Sequence, residues 1–370
     1  MPKRRAKGEG TIYQRADGRW SGQITLPNGK RRTKYGKTQG EVRDWLTAQR
    51  GSIRTGAWSA DTGTRLDEFL RNYLHDVVAN QVRAGTMENY TRVAEIHLIP
   101  AFGNMRLTDL RPEHLQRLYT EKVAAGLAPG SVLIIHNVIH QTLKQAEEWG
   151  IVPRNVAGLV HPPHRRAAVP TILSIEQLDL VLTHTKNSQR GRWLYVAIYL
   201  AVSTGLRRGE ILGLRWADID FDQRSLRVAR IASQLASREM VVAEPKTKSS
   251  RRLLTLDDAT ITVLREHRAK TPGDVVFPTP EGSYRDPDTL YEGWSRALKA
   301  VGVPHVKFHA LRHMHATLLL EQSISPKVVS ERLGHANVAI TLQTYSHVSS
   351  KLEHAAANAI GQAMQGLQKD

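Results

Sequence analysis

The segment Val160-His161-Pro162-Pro163-His164-Arg165-Arg166 limits the folding of this chain more than any other. Proline fixes φ, lacks an amide donor and forces the residue before it out of the helical region, so two in succession stop a helix or an internal strand. The main domain boundary is expected here. A softer break runs from Gly51 to Gly63, rich in Gly, Ser and Thr, and reads as a linker. Cut at these places, the 370 residues give three domains, 1–58, 59–163 and 164–370, each of a size that can hold its own core.

In the first of these, Trp20–Leu26 and Arg31–Tyr35 read as strands on either side of Pro27-Asn28-Gly29-Lys30, where Asn-Gly is a hairpin signal. Thr38 and Glu41 have capping-box spacing for a helix running to about Arg50, so these two strands and one covering helix are expected to build residues 1–58, taken as a three-stranded sheet plus helix. Residues 1–58 carry 14 basic and 4 acidic residues, within a chain of net charge +17. Such asymmetry favours a polyanion, because each neutralised phosphate releases condensed counterions. Lys30, Arg31, Arg32 and Lys34 are the candidate DNA contacts, on strands that could lie in a groove. A solvated tail, or an edge strand made basic to resist aggregation, is the alternative.

Leu66, Phe69, Leu70, Tyr73, Leu74 and Val77 follow helical spacing and form one apolar stripe. Further helices are expected over Thr86–Leu98, from Pro112 with Leu115, Leu118, Tyr119 and Val123, and over Ser131–Trp149, making a four-helix bundle. Composition alone makes this bundle a structural module. Beyond the prolines, Ser174 and Gln177 again have capping-box spacing, and Trp193–Val202 is a strongly apolar helix. Ser225–Ile231, Met240–Ala243 and Arg251–Leu256 alternate as short strands, with helices to the end. The fold class is mainly α with small antiparallel sheets (α+β). No Cys occurs, which excludes disulfides and thiolate metal sites. There is no long apolar run, and MPKRRAKGEG is not followed by an apolar region, so a cytoplasmic protein without membrane partners is expected.

Within the third domain, Arg207, Lys246, His309, Arg312, His335 and Tyr345 form a set of cations closing on one phenol. A phosphodiester in transfer gathers charge on its equatorial oxygens, which fixed guanidiniums stabilise without reorganising. A phenol of pKa about 10 needs a base or a positive field to attack, and a departing alkoxide needs a general acid. Arg207 lies in Thr204-Gly-Leu-Arg-Arg-Gly-Glu210, with Gly205 ending one helix and Glu210 placed to orient the guanidinium or cap the next helix; Arg208 is a rival. Lys246 lies between two short strands, with Lys248 as competitor. His309 and Arg312 share a helix face; His309 and His313 also have zinc-ligand spacing, but the Glu of a zinc-protease helix is absent and Arg312 would sit beside the metal. Singly, each residue has a bland reading: a surface ion pair, a solvated lysine, a dipole partner at a helix end, a half-buried tyrosine.

The segments Thr204–Glu210, Pro245-Lys246-Thr, His309-Ala-Leu-Arg312-His-Met-His-Ala, Leu333-Gly-His335 and Thr344-Tyr345, in this order, resemble the tyrosine recombinase, or phage integrase, family. The likeness is strongest over about residues 170–350; the bundle is similar to the family's core-site binding domain, and the N-terminal sheet to the arm-site domains of lambda-type integrases. The resemblance implies a roles scheme. Tyr345 attacks the scissile phosphate to give a 3′-phosphotyrosyl link, Arg207 and Arg312 hold the non-bridging oxygens, and Lys246 protonates the leaving 5′ oxygen. His309 takes the tyrosine proton, His335 hydrogen-bonds the phosphate, and Glu210 supports from behind. It further implies no cofactor and no metal. The implied partners are double-stranded DNA core and arm sites, a homotetramer in synapsis, a host bending protein and an excision factor. The tail from Ser346 to Asp370 would dock on a neighbouring protomer. A regulator that kept the fold without catalysis, or a type IB topoisomerase, are the other classes such a chain could belong to.

Overall fold

Apolar stripes at helical spacing and one small basic hairpin build two compact units, Met1–Arg166 and Ala167–Asp370, in a computed structural model. The structure describes residues 10–26, 29, 31–54, 63–164, 171–188, 191–235, 237–245, 250–344, 357 and 360. Lys30, Lys246, Lys248, Tyr345 and nearly all of the tail therefore lie outside the described residues.

In the first unit, β1 (Thr11–Gln14), β2 (Trp20–Thr25) and β3 (Arg31–Gly36) form an antiparallel sheet in that order, and α1 (Gln39–Arg54) covers one face. Ile24, Val42 and Leu46 are buried between them. Gly22, in the central strand, allows the approach: a Cβ there would come within 2.4 Å of Val42. The Thr38 hydroxyl accepts from the Glu41 amide at 3.2 Å as its spacing predicts, but the Glu41 carboxylate accepts from the Lys37 amide at 3.1 Å, one residue earlier than a capping box requires.

The alternation of β3 divides the basic residues expected to contact DNA. Arg32 donates to Gln49 at 3.1 Å and Lys34 approaches Glu41 at 4.0 Å, so both lean toward α1. Arg31 falls on the opposite, open face, where Tyr13 and Tyr35 flank Ser21 and the Arg15 guanidinium lies 4.9 Å over the Tyr35 ring. The period of two in a strand thus sets Arg31 apart from Arg32 and Lys34.

The bundle begins with α2 (Leu66–Asn72), which passes into a π turn over Tyr73–Val77 and a short 3₁₀ turn over Val78–Asn80. Leu66, Phe69, Leu70, Tyr73 and Leu74 are buried as their spacing predicts, and Val77 packs half-buried against the same core while Val78 is buried more deeply. The wider turn adds a residue and advances the register. Helix α3 (Ala84–Val93) runs into a second π turn over Ala94–Leu98 and then α4 (Ile99–Phe102). Helices α5 (Pro112–Ala124) and α6 (Pro129–Glu148) complete the bundle. Both start at proline, whose missing amide costs nothing at a first turn. Leu115, Leu118 and Tyr119 are buried on α5, whereas Val123, expected beside them, is 41% exposed at the helix end.

The second unit packs around α8 (Arg192–Thr204), preceded by α7 (Ile175–Asn187). At the start of α7, Ser174 and Gln177 exchange both capping-box bonds, at 3.2 and 3.0 Å. After α9 (Arg208–Leu212) come β4 (Ile219–Asp220), β5 (Ser225–Arg227), β6 (Ile231–Gln234), β7 (Met240–Ala243) and β8 (Leu253–Thr255). They form two separate antiparallel sheets, β4-β5-β8 and β6-β7. The single strand expected over Ser225–Ile231 is thus divided: Arg230 turns aside to pair with Asp218 at 2.6 Å, and the chain changes sheets there. Helices α10 (Asp258–Arg268), α11 (Pro287–Ala300), α12 (Ala310–Glu321), α13 (Pro326–Leu333) and α14 (Val338–Thr344) follow. Trp294 is fully buried, its indole N–H donating to the Val306 carbonyl at 2.7 Å. The chain is mainly α with small antiparallel sheets. Among the described residues, no helix is long and apolar enough to cross a membrane.

Candidate active site

Helix α8 ends at Gly205 in the left-handed region, φ +67°. A Cβ there would be strained and would also lie 2.6 Å from Leu333 and 2.7 Å from His315, so the turn needs glycine for both reasons. The reversal leaves Arg207 as the N-cap of α9. One Glu210 oxygen accepts from the Arg207 amide at 2.9 Å and the other from its guanidinium at 2.8 Å, so the carboxylate caps the helix and orients the arginine together.

Glu210 has no exposed surface, and a second guanidinium reaches it. Arg252, just before β8, donates to its two oxygens at 3.3 and 3.0 Å. Burial alone would push the Glu210 pKa up; the bonds and charges of Arg252 and Arg207 outweigh it and hold the carboxyl below its ordinary range.

The last turn of α13 forms the other wall. Three successive carbonyls at this helix end each accept from a different arginine: Arg332 from Arg252 Nε at 2.6 Å, Leu333 from Arg312 Nη2 at 2.6 Å, and Gly334 from Arg207 Nη2 at 3.4 Å. A helix C-terminus exposes unpaired carbonyls and partial negative charge, which is what attracts the guanidiniums. Arg312 is 3% exposed and also donates to the Gly205 carbonyl at 2.7 Å. Gly334 closes the helix with φ +68° and releases His335.

His309 is the N-cap of α12, not an interior residue, and its ring stands edge-on to His313 at 5.0 Å. Burial, then His313, Arg312 and Arg207, press its pKa down to about 4. His335 meets the Thr341 hydroxyl through Nδ1 at 2.8 Å, and burial with Arg312 and Arg207 also brings it to about 4. Both imidazoles are neutral at neutral pH. Arg207, Glu210, His309, Arg312 and His335 are therefore brought together, while Arg208 donates to the Pro287 carbonyl at 3.4 Å. Arg207, Arg208, Lys307 and His309 line one cleft of about 1130 Å³. Among the described residues, no group of three or more His, Cys, Asp or Glu side chains could hold a metal ion. Lys246, Lys248 and Tyr345 lie outside the described residues; the last residue of α14 adjoins Tyr345 in sequence.

Two features were missed from the sequence. Arg252 is one: it occupies the inward phase of Arg252, Leu254 and Leu256, and an inward charge on a short strand requires a buried partner. The second is the pair of His315 and Arg332. His315 Nδ1 contacts the Val202 carbonyl at 2.7 Å, and its Nε2 accepts from Arg332 Nε at 3.3 Å. Burial first, then Arg332, lowers the His315 pKa to about 4.

Because His309, His315 and His335 have folded pKa values near 4 against an ordinary 6.5, the unfolded chain takes up protons first as pH falls. Their contribution to stability is present above pH 6.5 and is lost between 6.5 and about 4. Urea unfolding of the intact protein should show a midpoint falling through that window. A flat midpoint would contradict the buried, neutral assignment.

Residues 172–351 match the Phage integrase family, and residues 65–123 match the phage integrase N-terminal SAM-like domain. A tyrosine recombinase XerC-like protein of Caldanaerobacter subterraneus subsp. tengcongensis is 30% identical over 359 residues, spanning 88% of this chain and 90% of its own. In fold, the chain is similar to the Tn1549 transposon integrase in complex with a circular intermediate DNA, with a TM-score of 0.68 at 17% identity over 79% of this chain and 100% of that one. It is also similar to lambda integrase as a tetramer bound to a Holliday junction, with a TM-score of 0.60 at 18% identity over 92% and 96%. Matched nearly end to end by a relative of this kind, the chain belongs to the tyrosine recombinase, or phage integrase, family.

Proposed function

We propose that this chain is a site-specific DNA recombinase that integrates a phage or mobile element, and that Tyr345 is its nucleophile. The observation that carries the reading is the convergence of Arg207 and Arg312, from distant parts of the sequence, beside two neutral imidazoles. In the proposed reaction the Tyr345 oxygen bonds to the scissile phosphorus, the bond to the 5′ oxygen breaks, and a 3′-phosphotyrosyl link remains. Arg207 and Arg312 hold the non-bridging oxygens. Two of the five guanidinium donors of Arg312 already grip carbonyls, which sets the plane of the fork before substrate arrives. Lys246, with Lys248 as rival, protonates the leaving oxygen.

An imidazole of pKa about 4 is a weak base, and the phosphate itself supplies the remedy. Its negative charge offsets Arg207 and Arg312, so His309 becomes more basic when DNA is bound and can take the phenolic proton. His335, with Nδ1 engaged by Thr341, has Nε2 for a phosphate oxygen. The phosphotyrosyl bond conserves the energy of the broken phosphodiester, so resealing to a new strand requires no cofactor.

The partners follow from the family and the charge. Double-stranded attachment sites are the substrate, and four copies act together; the lambda integrase tetramer on a Holliday junction supports this assembly. In the proposed division, residues 1–58 read arm sites through Lys30, Arg31, Arg32 and Lys34, residues 59–163 grip the core site, and residues 164–370 cleave. The protein works in the cytoplasm on nucleoid DNA, with a host bending protein and an excision factor as further partners.

A nicked suicide substrate carrying the attachment site tests the chemistry. Wild-type protein should form a covalent adduct, visible on a denaturing gel, and Tyr345→Phe should abolish it while still binding DNA. No adduct from the wild type on its true site would defeat the proposal. Deleting residues 1–58 should weaken arm-site binding and reduce the slope of affinity against salt, with core-site cleavage retained. An unchanged slope would remove the basic module from the phosphate contacts.

A further inference from the structure

The Arg252 guanidinium reaches two elements at once. Nη1 and Nη2 donate to Glu210, which holds both the amide and the guanidinium of Arg207. Nε donates to the Arg332 carbonyl, one residue before Leu333, whose carbonyl holds Arg312, and three before His335. Its side chain is 7% exposed, so it is turned inward to these partners instead of toward solvent. A planar fork can span a carboxylate and a carbonyl together, whereas an ammonium is a point donor that meets one of them.

We propose that Arg252 is a positioning residue for DNA cleavage, locking the turn that carries Arg207 to the turn that carries His335 so that both meet the same phosphate. A buried ion pair is a poor source of stability in itself, since desolvation consumes most of the attraction. Its effect here is geometric: remove Arg252, and Glu210 keeps one arginine while the α13 end loses the first of its three donors. This inference rests on the recombinase reading above.

The charged groups facing Glu210 are Arg207 from the turn before α9, Arg252 from the start of β8, and His309 from the cap of α12. Without Arg252, burial is opposed mainly by Arg207, and the carboxyl titrates at higher pH. Cleavage should then gain an acid limb, slowing as pH falls, because protonated Glu210 no longer pairs with Arg207.

The test uses full-length R252M and R252K in single-turnover adduct formation on the nicked attachment-site substrate, with DNA affinity and melting temperature measured alongside. R252M should lose at least about tenfold in rate constant, as small misplacements of a reacting group do. It should keep the wild-type adduct amplitude and affinity, and show the new acid limb. A wild-type rate and pH profile would overturn the proposal, as would a loss confined to amplitude and melting temperature. Should R252M not be recovered folded, R252K decides, because its ammonium cannot span both partners: a reduced rate supports the lock and a wild-type rate overturns it. Loss of fold in both variants would assign Arg252 to folding alone and overturn the proposal. If wild type forms no adduct, the recombinase reading falls and takes this inference with it; if wild type cleaves and the variants match it, only the lock is removed.

Discussion

A carboxylate buried between two guanidiniums organises the second unit. Glu210 has no exposed surface, and such a group is tolerated only when its oxygens are fully engaged. Arg207 and Arg252 engage them from opposite sides in sequence, 42 residues apart for Arg252. Breaking a pair of this kind typically costs about 3 to 5 kcal/mol, far more than the intact pair contributes, because the survivor is left charged in the interior. The position of the first arginine, the start of β8 and the last turn of α13 all follow from this one arrangement.

The end of α13 extends the same logic from an ion pair to a wall of dipoles. Its last carbonyls would be unpaired in an isolated helix, and three arginines satisfy them in succession. The helix thus aligns cations that would otherwise repel one another. Burial first, and then the field of these arginines, hold His309 and His335 near pKa 4. A site with excess positive charge and neutral imidazoles is poised for an anion, and on the proposed reading the scissile phosphate restores the charge balance and activates the base together. Binding and activation are then one electrostatic event.

Much of this was legible in the sequence, and the limits have physical causes. Gly205 and Gly334 marked the two turns because a left-handed backbone favours glycine, and both occupy that region. The stripe from Leu66 to Leu74 was legible because helical periodicity is local; at its end a π turn, set by packing, leaves Val77 half-buried against the core and puts Val78 deeper. Charge singled out Arg32 and Lys34, but their contacts with Gln49 and Glu41 on α1 depend on strand alternation and on a helix that packs later in the chain. Arg252 went unnoticed although it sits in the inward phase of its strand, because its partner, Glu210, is remote in sequence and had already been assigned to Arg207. Short-range signals were readable, and pairings across the fold were not.

The most direct measurement is the single-turnover cleavage rate of Glu210→Gln on the nicked attachment-site substrate, beside its DNA affinity. Glutamine keeps the shape and an acceptor oxygen but loses the charge that pairs with Arg207 and Arg252. If the buried carboxylate organises the site, the rate constant falls at least about tenfold, equivalent to roughly 1.4 kcal/mol of barrier, while DNA affinity is retained. Cleavage at the wild-type rate would contradict the account.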